Sequence, residues 1–494
     1  MAPHGGRRDP GRRPWSDGGL RTNDLNTAEL TRELAVATGA AALVNADVDR
    51  NDVDLNRIST AHDGAPRFLE TLAELLEAAL ARCERAVVLA IHGWNVVQPS
   101  IDVGIGYRPG RHAPSAPPGP TASAEFLRGG LPGLCASLAA RGIGVSLGAR
   151  YPARAPENLL QLFSERHTAD ARPLVQRLAQ LGRRCDGVQL ELAVPLRWPG
   201  PWRTRMIASV VDALPALLGR RPEAALMPAA RPEPAPGTAR TFEFVGPDLC
   251  GLAALDRAGG RLLLFERDGT LALFTGERIG GEADGTVGGL SLHANADGGR
   301  RLRYDGPLLR FPDTTPFVDL EAGMAGATLL DARCAIDFTP AHAGCAFGSI
   351  DGEVVIAGQR RRVSGTGVAD HDDWRAATRW RAALAVDARD RLLLRRDASG
   401  AASGHLCRGG THIEVVAVER AGGDHTERLT LRLTTGEDYV IDTVTGHRLP
   451  VVRGGTVPPV RVEFTAHRLR DAAAPAGWCF TTLPSCPESS DSGH

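Results

Sequence analysis

The chain contains no lysine, so all 57 cationic residues other than histidine are arginine. We attribute this absence to a GC-rich coding bias, although arginine does favour bidentate contacts with carboxylates. Acidic residues nearly balance the arginines, at a net charge of -1, and the charge pattern therefore does not indicate a nucleic acid or an anionic membrane as partner. The short basic run Arg360 to Arg362 has no interleaved aromatic residues, which disfavours a nucleic-acid site there.

Cysteine pairs and long apolar runs are also missing. The nine cysteines are scattered and form no CxxC motif, which indicates neither a disulfide scaffold nor a thiolate zinc site. No segment approaches the roughly 20 apolar residues of a membrane span, and the first residues, MAPHGGRRDPGRR, lack the apolar centre of a signal peptide. We therefore expect a soluble cytoplasmic protein.

The order of patterns along the chain predicts two folded domains. At 494 residues the chain is too long for one core. Strand and helix patterns alternate over residues 1–222, which predicts an α/β domain. Residues 223–239 have the proline density of a linker. Short apolar runs between Asp/Gly turns then predict an antiparallel β domain over 240–471, and the small polar residues 472–494 predict a disordered tail.

Several elements of the α/β domain can be predicted from local signals. Asn26 and Glu29 form a possible capping box for a helix through Thr38, and Ala41 to Val48 predicts a strand. Pro66 opens a helix with leucines on one face. These leucines are Leu69, Leu72, Leu76 and Leu80.

The strand at Ala86 to Asn95, AVVLAIHGWN, is the most informative segment. Its apolar run predicts a buried parallel strand, and sheets of this class place ligands at the carboxyl ends of their strands. His92 lies at that end and is therefore the first candidate active-site residue. The alternative is a histidine that only caps a loop.

A second histidine and two acids complete a candidate hydrolytic site. A catalytic zinc takes three ligands from His, Asp and Glu and leaves one position open, and His4, Asp9 and His92 supply that number. Glu191 also follows a strand, where its carboxylate could accept a proton from the attacking water and pass it to a leaving amine. The alternative for residues 1–13 is a Gly/Arg tail without chemical function.

The loop after the second predicted strand carries candidate substrate contacts. Arg57 offers a fork for a carboxylate, with Asn56 beside it, and Arg50 could stabilise an oxyanion.

The order of PHGG, ALVNADVDRNDVDLNR, AIHGWN and QLEL resembles the N-formylglutamate amidohydrolases and the related poly-γ-glutamate hydrolases, which have a zinc-carboxypeptidase-like fold. The resemblance covers about residues 1–200, and DxNR is its most specific element. It implies that His4, Asp9 and His92 bind zinc. Arg50, Asn56 and Arg57 would contact the substrate, and Glu191 would be the base. Asp9 departs from the family pattern, where a longer acid is expected.

The β domain has a signature of its own, GTGVADHDDW, from Gly365 to Trp374. This motif resembles the lipocalin-like proteins related to carotenoid hydratases and tocopherol cyclase. The resemblance implies an antiparallel barrel in which Asp370 and His371 could protonate an alkene. The alternative, which we favour, is a structural or ligand-binding role, with the glycines at a bulge and the tryptophans in the core.

Together these observations predict a zinc-dependent amidohydrolase that acts on a small amide with a free carboxylate, such as an N-acyl amino acid or a γ-glutamyl compound. The β domain would bind an apolar ligand. The competing hypothesis is a non-hydrolytic protein, or a hydratase or cyclase, that works through its β domain. No nucleic acid partner is expected.

Overall fold

The computed structural model spans residues 1–494 and describes most of them. The ranges that it does not describe are 7–21, 109–118, 220–239, 247–248, 256–258, 267–269, 279–284, 296–297, 313–319, 342–346, 371–377, 386–389, 398–401, 409–410, 423–425, 454–459, 470–476 and 484–494. The chain divides into two compact units, Met1–Glu233 with Ile279–Gly281, and Pro234–Arg278 with Glu282–His494. We call them the α/β unit and the β unit.

The α/β unit alternates helices and strands, as predicted. Its helices are α1 (Thr27–Thr38), α2 (Ile58–Gly64), α3 (Pro66–Leu80), α4 (Ala124–Arg128), α5 (Gly130–Ala139), α6 (Pro173–Gly182), α7 (Val194–Arg197) and α8 (Pro201–Leu217). Its strands are β1 (Ala86–Trp94), β2 (Ser100–Gly104), β3 (Gly144–Leu147) and β4 (Cys185–Ala193), and two short 3₁₀ helices cover Leu159–Phe163 and Glu165–His167.

The four strands form a mixed sheet in the order β1-β4-β2-β3. Strand β1 is parallel to β4, β4 is antiparallel to β2, and β2 is parallel to β3. All nine residues of β4 are buried, because the strand lies inside the sheet and helices cover both of its faces. The predicted parallel arrangement is thus confirmed for β1 and β4.

Two apolar cores cover the opposite faces of this sheet. One contains residues of α1, α5 and α8, such as Leu30, Leu134 and Met206. The other contains residues of α2, α3 and α6, such as Ile58 and Leu178. All four leucines predicted for one face of α3 are buried in this second core, which confirms that amphipathic helix.

Two local predictions in this unit were wrong. Residues 41–48 do not form a strand, and pairing there is limited to a single parallel bridge between Val44 and Ala2. Helix α1 does begin after Asn26, but the Asn26 side chain makes no capping hydrogen bond, since its backbone is left-handed (φ 64°). A capping box needs an extended backbone at that position.

The β unit contains one short helix, α9 (Leu320–Ala325), and eighteen strands within its described residues. The first ten strands are β5 (Arg240–Val245), β6 (Leu249–Leu255), β7 (Gly259–Glu266), β8 (Leu271–Glu277), β9 (Thr286–Val287), β10 (Leu290–Ala294), β11 (Arg300–Phe311), β12 (Thr328–Pro340), β13 (Phe347–Ile356) and β14 (Gln359–Asp370). They form one sheet in the order β12-β13-β14-β5-β6-β7-β8-β11-β10-β9, and an additional pairing of β12 with β11 closes eight of them into a ring.

The remaining eight strands form a second closed barrel in sequential order. They are β15 (Thr378–Ala385), β16 (Asp390–Asp397), β17 (Ala402–Arg408), β18 (Thr411–Gly422), β19 (Thr426–Leu433), β20 (Asp438–Arg453), β21 (Val460–Leu469) and β22 (Gly477–Leu483). Alternate side chains of its strands, including Leu392, Leu394, Leu429 and Leu431, form an apolar cluster, as expected for a barrel interior.

The antiparallel β region is confirmed, but it is larger than the sequence predicted. It contains two sheets where one barrel was expected, because local turn signals mark strands without showing which of them pair. Strand β22 lies within residues 472–494, where a disordered tail was predicted. The predicted linker, 223–239, lies outside the described residues. Among the helices that the structure describes, none has the length and apolarity to cross a membrane.

Candidate functional site

The sheet brings the predicted strand-end residues into one row. His92 of β1 lies opposite Glu191 of β4, which in turn lies opposite Asp102 of β2. Side chains at aligned positions of neighbouring strands point to the same face of a sheet. Because the residues on either side of Glu191 in β4, Leu190 and Leu192, belong to the α1/α5/α8 core, this polar row faces the opposite side.

The segment that carries His4 is held against β1 by a hydrogen bond from the Ile91 amide to the Met1 carbonyl (2.7 Å), and it also contacts residues 45–48. The Asn45 side chain donates to the Pro3 carbonyl (3.0 Å) and to the Val48 carbonyl (2.8 Å). At Gly6 a Cβ would lie 1.9 Å from the Val48 carbonyl oxygen, so only glycine fits there. This close approach explains the second glycine of the PHGG motif.

His4 and His92 meet at one buried carboxylate, that of Asp24. Asp24 Oδ2 lies 3.3 Å from His4 Nδ1 and 3.1 Å from His92 Nδ1. The two rings pack edge to face with centroids 4.9 Å apart. All three residues are at least 94 % buried, and one ligand atom from each lies within 4.8 Å of the others. We call His4, Asp24 and His92 the His/Asp cluster.

Charges and hydrogen bonds set the protonation of the cluster. Burial favours the neutral form of Asp24, but its contacts with His4 and His92 and the charge of Arg50 outweigh burial and hold the Asp24 pKa well below its usual range. Burial lowers the pKa of His92 to about 4, so the imidazole is neutral near pH 7. Nε2 of His92 is buried without a hydrogen-bond partner in the described part of the chain.

Asp54 orients the first histidine. Its Oδ1 atom lies 2.6 Å from His4 Nε2 and also accepts the Asn56 amide (3.0 Å). A carboxylate on Nε2 places the ring proton there and leaves the Nδ1 lone pair directed at the cluster. Hydrogen bonds and charge, chiefly from His4, lower the Asp54 pKa despite its burial.

Three predicted substrate residues surround the cluster at different depths. Arg50 Nη1 donates to Asp24 Oδ1 (3.2 Å) and to the Thr22 carbonyl (3.0 Å). Arg57 is 39 % exposed, and its Nε lies 3.9 Å from Asp54 Oδ2, which leaves much of its guanidinium accessible. Asn56 Oδ1 is buried and has no hydrogen-bond partner among the described residues.

Glu191 is the acid with the most strongly raised pKa near the cluster. Burial is the largest cause, and the charges of Asp24 and Asp102 add to it. Gln189 donates to Glu191 Oε1 (2.7 Å) and accepts from Asn158 Nδ2 (3.1 Å). A carboxyl group whose pKa is raised in this way is suited to general acid and base catalysis.

Asp102 shapes the loop beside this row, which the sequence did not indicate. Its carboxylate accepts hydrogen bonds from Ser146 Oγ and from the amides of residues 149, 150 and 151, at 2.7–3.0 Å. This loop carries Tyr151, whose ring packs edge to face on Trp94 with centroids 6.2 Å apart.

The acid in the cluster is not the one selected from the sequence. Asp9 lies outside the described residues, so its role as a ligand stays a prediction. Asp24 was missed because no motif marks it, although its position just before α1, next to a polar Thr-Asn pair, was a possible signal. The Asp24 amide donates to the His4 carbonyl (2.9 Å), and this contact joins the two residues.

The two candidate residues in the signature of the β unit, Asp370 and His371, are described only in part. Asp370 is the last residue of β14, where it pairs with Thr241, but its side chain is not described, and His371 lies outside the described residues. The alkene chemistry and the lipophilic ligand stay predictions. In the ring of eight strands Glu266 is a buried carboxylate that pairs with Arg310 and Arg361.

No protein-family model matches this chain, and no curated protein matches it. The geometry of the His/Asp cluster is therefore the main indication of function in this chain.

Proposed function

We propose that the α/β unit is a zinc-dependent amidohydrolase for small amides that carry a free carboxylate, such as N-acyl amino acids or γ-glutamyl compounds. The spacing within the His/Asp cluster is the main support. Two ligands on one tetrahedral zinc, each about 2.0–2.1 Å from it, lie about 3.3 Å apart. The distances from Asp24 Oδ2 to His4 Nδ1 and to His92 Nδ1 are 3.3 and 3.1 Å.

The donor set also fits zinc chemically. Two imidazoles and one carboxylate are a catalytic zinc set that leaves a position for substrate or water. When bound, the ion would polarise the amide carbonyl and lower the pKa of water to about 7. His4, Asp24 and His92 would hold it, and Asp54 would orient His4, as carboxylates do for metal-binding histidines.

Glu191 would move the proton in the reaction. Because burial raises the pKa of Glu191, its carboxylate is a stronger base than that of an ordinary glutamate. In the ionised form it can accept a proton from the attacking water, and it can then give that proton to the leaving amine. The hydrogen bond from Gln189 to Oε1 fixes the orientation of the group.

The arginines suit a substrate with negative charge. The partly exposed Arg57 would bind the free carboxylate through its planar fork, with the Asn56 amide beside it. Arg50 lies against Asp24, close enough to the cluster to stabilise negative charge that develops on the carbonyl oxygen. We also propose that the enzyme is cytoplasmic, as expected from the sequence.

Metal content tests the proposal directly. We expect about one zinc per chain in the purified protein by elemental mass spectrometry, and none in His92→Ala. His62→Ala is the matched control, because His62 also pairs with an aspartate, Asp63 at 2.7 Å, but lies on the surface of α2. It should keep the zinc.

Activity then identifies the substrate class. The zinc-loaded protein should hydrolyse N-formyl-L-glutamate or a γ-glutamyl amide faster than the same compound with its free carboxylate amidated. If the wild-type protein binds no zinc after the metal is added back, the assignment as a zinc-dependent hydrolase is refuted.

A further inference from the structure

Arg197, at the end of α7, is a fully buried arginine beside the His/Asp cluster, with 1 % of its surface exposed. Its guanidinium donates to three main-chain carbonyls and one side-chain oxygen. These acceptors are Leu192 O (3.0 Å, from Nε), Leu25 O (2.7 Å, from Nη1), Trp94 O (3.2 Å, from Nη2) and Asn95 Oδ1 (3.2 Å, from Nη2).

The three carbonyls belong to the three segments that carry the proposed catalytic groups. Leu25 directly follows Asp24, Trp94 is two residues after His92, and Leu192 directly follows Glu191. Only β1 and β4 of these segments are joined by sheet hydrogen bonds. A single planar side chain therefore connects the Asp24 segment, which is outside the sheet, to the ends of both strands.

The geometry around Gly93 is adapted to this side chain. A Cβ at Gly93 would lie 2.6 Å from Arg197 Nη1 and 3.0 Å from the Asp24 Cβ. The guanidinium thus occupies the space between β1 and Asp24 that a side chain at position 93 would need. This contact explains the glycine that follows His92 in the sequence.

All four acceptors are neutral oxygens, so the guanidinium does not serve to neutralise a carboxylate by contact. Burial lowers its pKa to about 10, which leaves it charged at neutral pH. A buried charge of this kind is expensive unless its N–H groups are bonded, and five donors in a fixed fork allow contacts that no other side chain makes.

We propose that Arg197 is the positioning residue that sets the spacing of Asp24, His92 and Glu191, and so tunes the affinity of the site for zinc. This inference depends on the proposed function, because it assigns a role within the same site.

The test is the zinc affinity of Arg197→Lys, measured by competition with a chelator of known affinity. Lysine keeps the charge but cannot reach the separate acceptors from one ammonium. We expect zinc to bind about 10–100-fold more weakly, the range for loss of a group that orients metal ligands. In the zinc-saturated variant kcat should fall, while KM for the carboxylate substrate stays near the wild-type value, since Arg57 is untouched.

Arg203→Lys is the matched control. Arg203 is 5 % exposed, and it bonds Glu33 on α1 (2.8 Å) and the Arg197 carbonyl (2.9 Å). Among the described residues it makes no hydrogen bond to the three segments. It should lower the melting temperature about as much as Arg197→Lys and leave zinc affinity unchanged. Equal losses of zinc affinity in the two variants would overturn the proposal and indicate a general loss of packing.

Two further variants separate position from charge. Arg197→Met removes a cation near the metal, which by electrostatics alone would strengthen zinc binding; positioning predicts weaker binding instead. Gly93→Ala keeps Arg197 but displaces its guanidinium, and it should weaken zinc binding without any change in charge.

The two proposals fail in different ways. A wild-type protein without zinc refutes the hydrolase. A wild-type protein that binds zinc tightly, together with an Arg197→Lys variant of equal affinity and kcat, refutes only the positioning role.

Discussion

Asp54 provides the sharpest test of how the cluster binds metal. Its Oδ1 atom lies 2.6 Å from His4 Nε2, and we propose that this contact directs the Nδ1 lone pair at zinc. Asp54→Asn keeps an oxygen acceptor but removes the charge that makes the imidazole a better ligand. Asp54→Ala removes both the acceptor and the charge.

Loss of such an orienting carboxylate weakens metal binding by about 10–100-fold, or about 1.4–2.8 kcal/mol at 1.4 kcal/mol for each factor of ten. We expect Asp54→Asn to lie near the tenfold end and Asp54→Ala near the hundredfold end. The alanine variant also leaves the main-chain N–H of Asn56, which donates to Asp54 Oδ1 at 3.0 Å, without its acceptor. That loss should cost about 1 kcal/mol of stability in the absence of zinc.

The assay is chelator competition at constant pH, with the melting temperature of the zinc-free proteins measured in parallel. Asp63→Asn is the control, because Asp63 bonds His62 at 2.7 Å but is 77 % exposed. It should change neither value. If Asp54→Ala bound zinc as tightly as the wild type while His92→Ala bound none, the orienting role of Asp54 would be wrong.

Three other results are expected. Glu191→Gln should lower kcat by about 10²–10⁴-fold with little change in KM, while Arg57→Ala should mainly raise KM; equal effects of the two would contradict the assigned roles. In the zinc-free protein Glu191→Gln should raise the melting temperature more at pH 7 than at pH 4. Because the pKa of Glu191 is raised in the folded state, the folded protein holds a proton that the unfolded chain releases above about pH 4.5, and the stability of the wild type therefore falls as the pH rises from there. An equal gain at both pH values would contradict this reasoning. Asp102→Asn replaces one of two accepting oxygens with a donor. The amides of residues 149–151 that lose their acceptor should exchange with solvent about 10–150-fold faster, since each bond to the carboxylate contributes about 1.5–3 kcal/mol, at 1.4 kcal/mol for each factor of ten. Unchanged exchange by mass spectrometry would exclude Asp102 as the anchor of that loop.

Local patterns predicted those elements whose signal lies within the element itself. Strand β1 was evident from its apolar run, and α3 from the spacing of its leucines, because burial of one strand or one helix face demands that pattern. The segment 41–48 has the same apolar composition as a strand, yet it forms one bridge, since a strand also needs a partner of matching length. Composition does not show which partner is available.

The candidate site was predicted in part for the same reason. His92 and Glu191 follow apolar strands, so a rule about strand ends finds them. Asp24 follows no strand and belongs to no motif, and its place beside both histidines depends on a main-chain contact to His4. Arg197 was missed because its acceptors are carbonyls far apart in the chain, which leave no trace in residue types.

The sequence by itself determined the α/β and antiparallel β composition and the strand that presents His92. Tertiary structure alone decided which acid joins the two histidines, which strands close each β sheet, and how the Asp24 segment is tied to β1 and β4. The physical reason is the distance along the chain over which the interactions act. Periodicity and turn chemistry act over a few residues, whereas the cluster is assembled from contacts between residues 20 to 172 positions apart, such as Asp24 with His4 and Arg197 with Leu25.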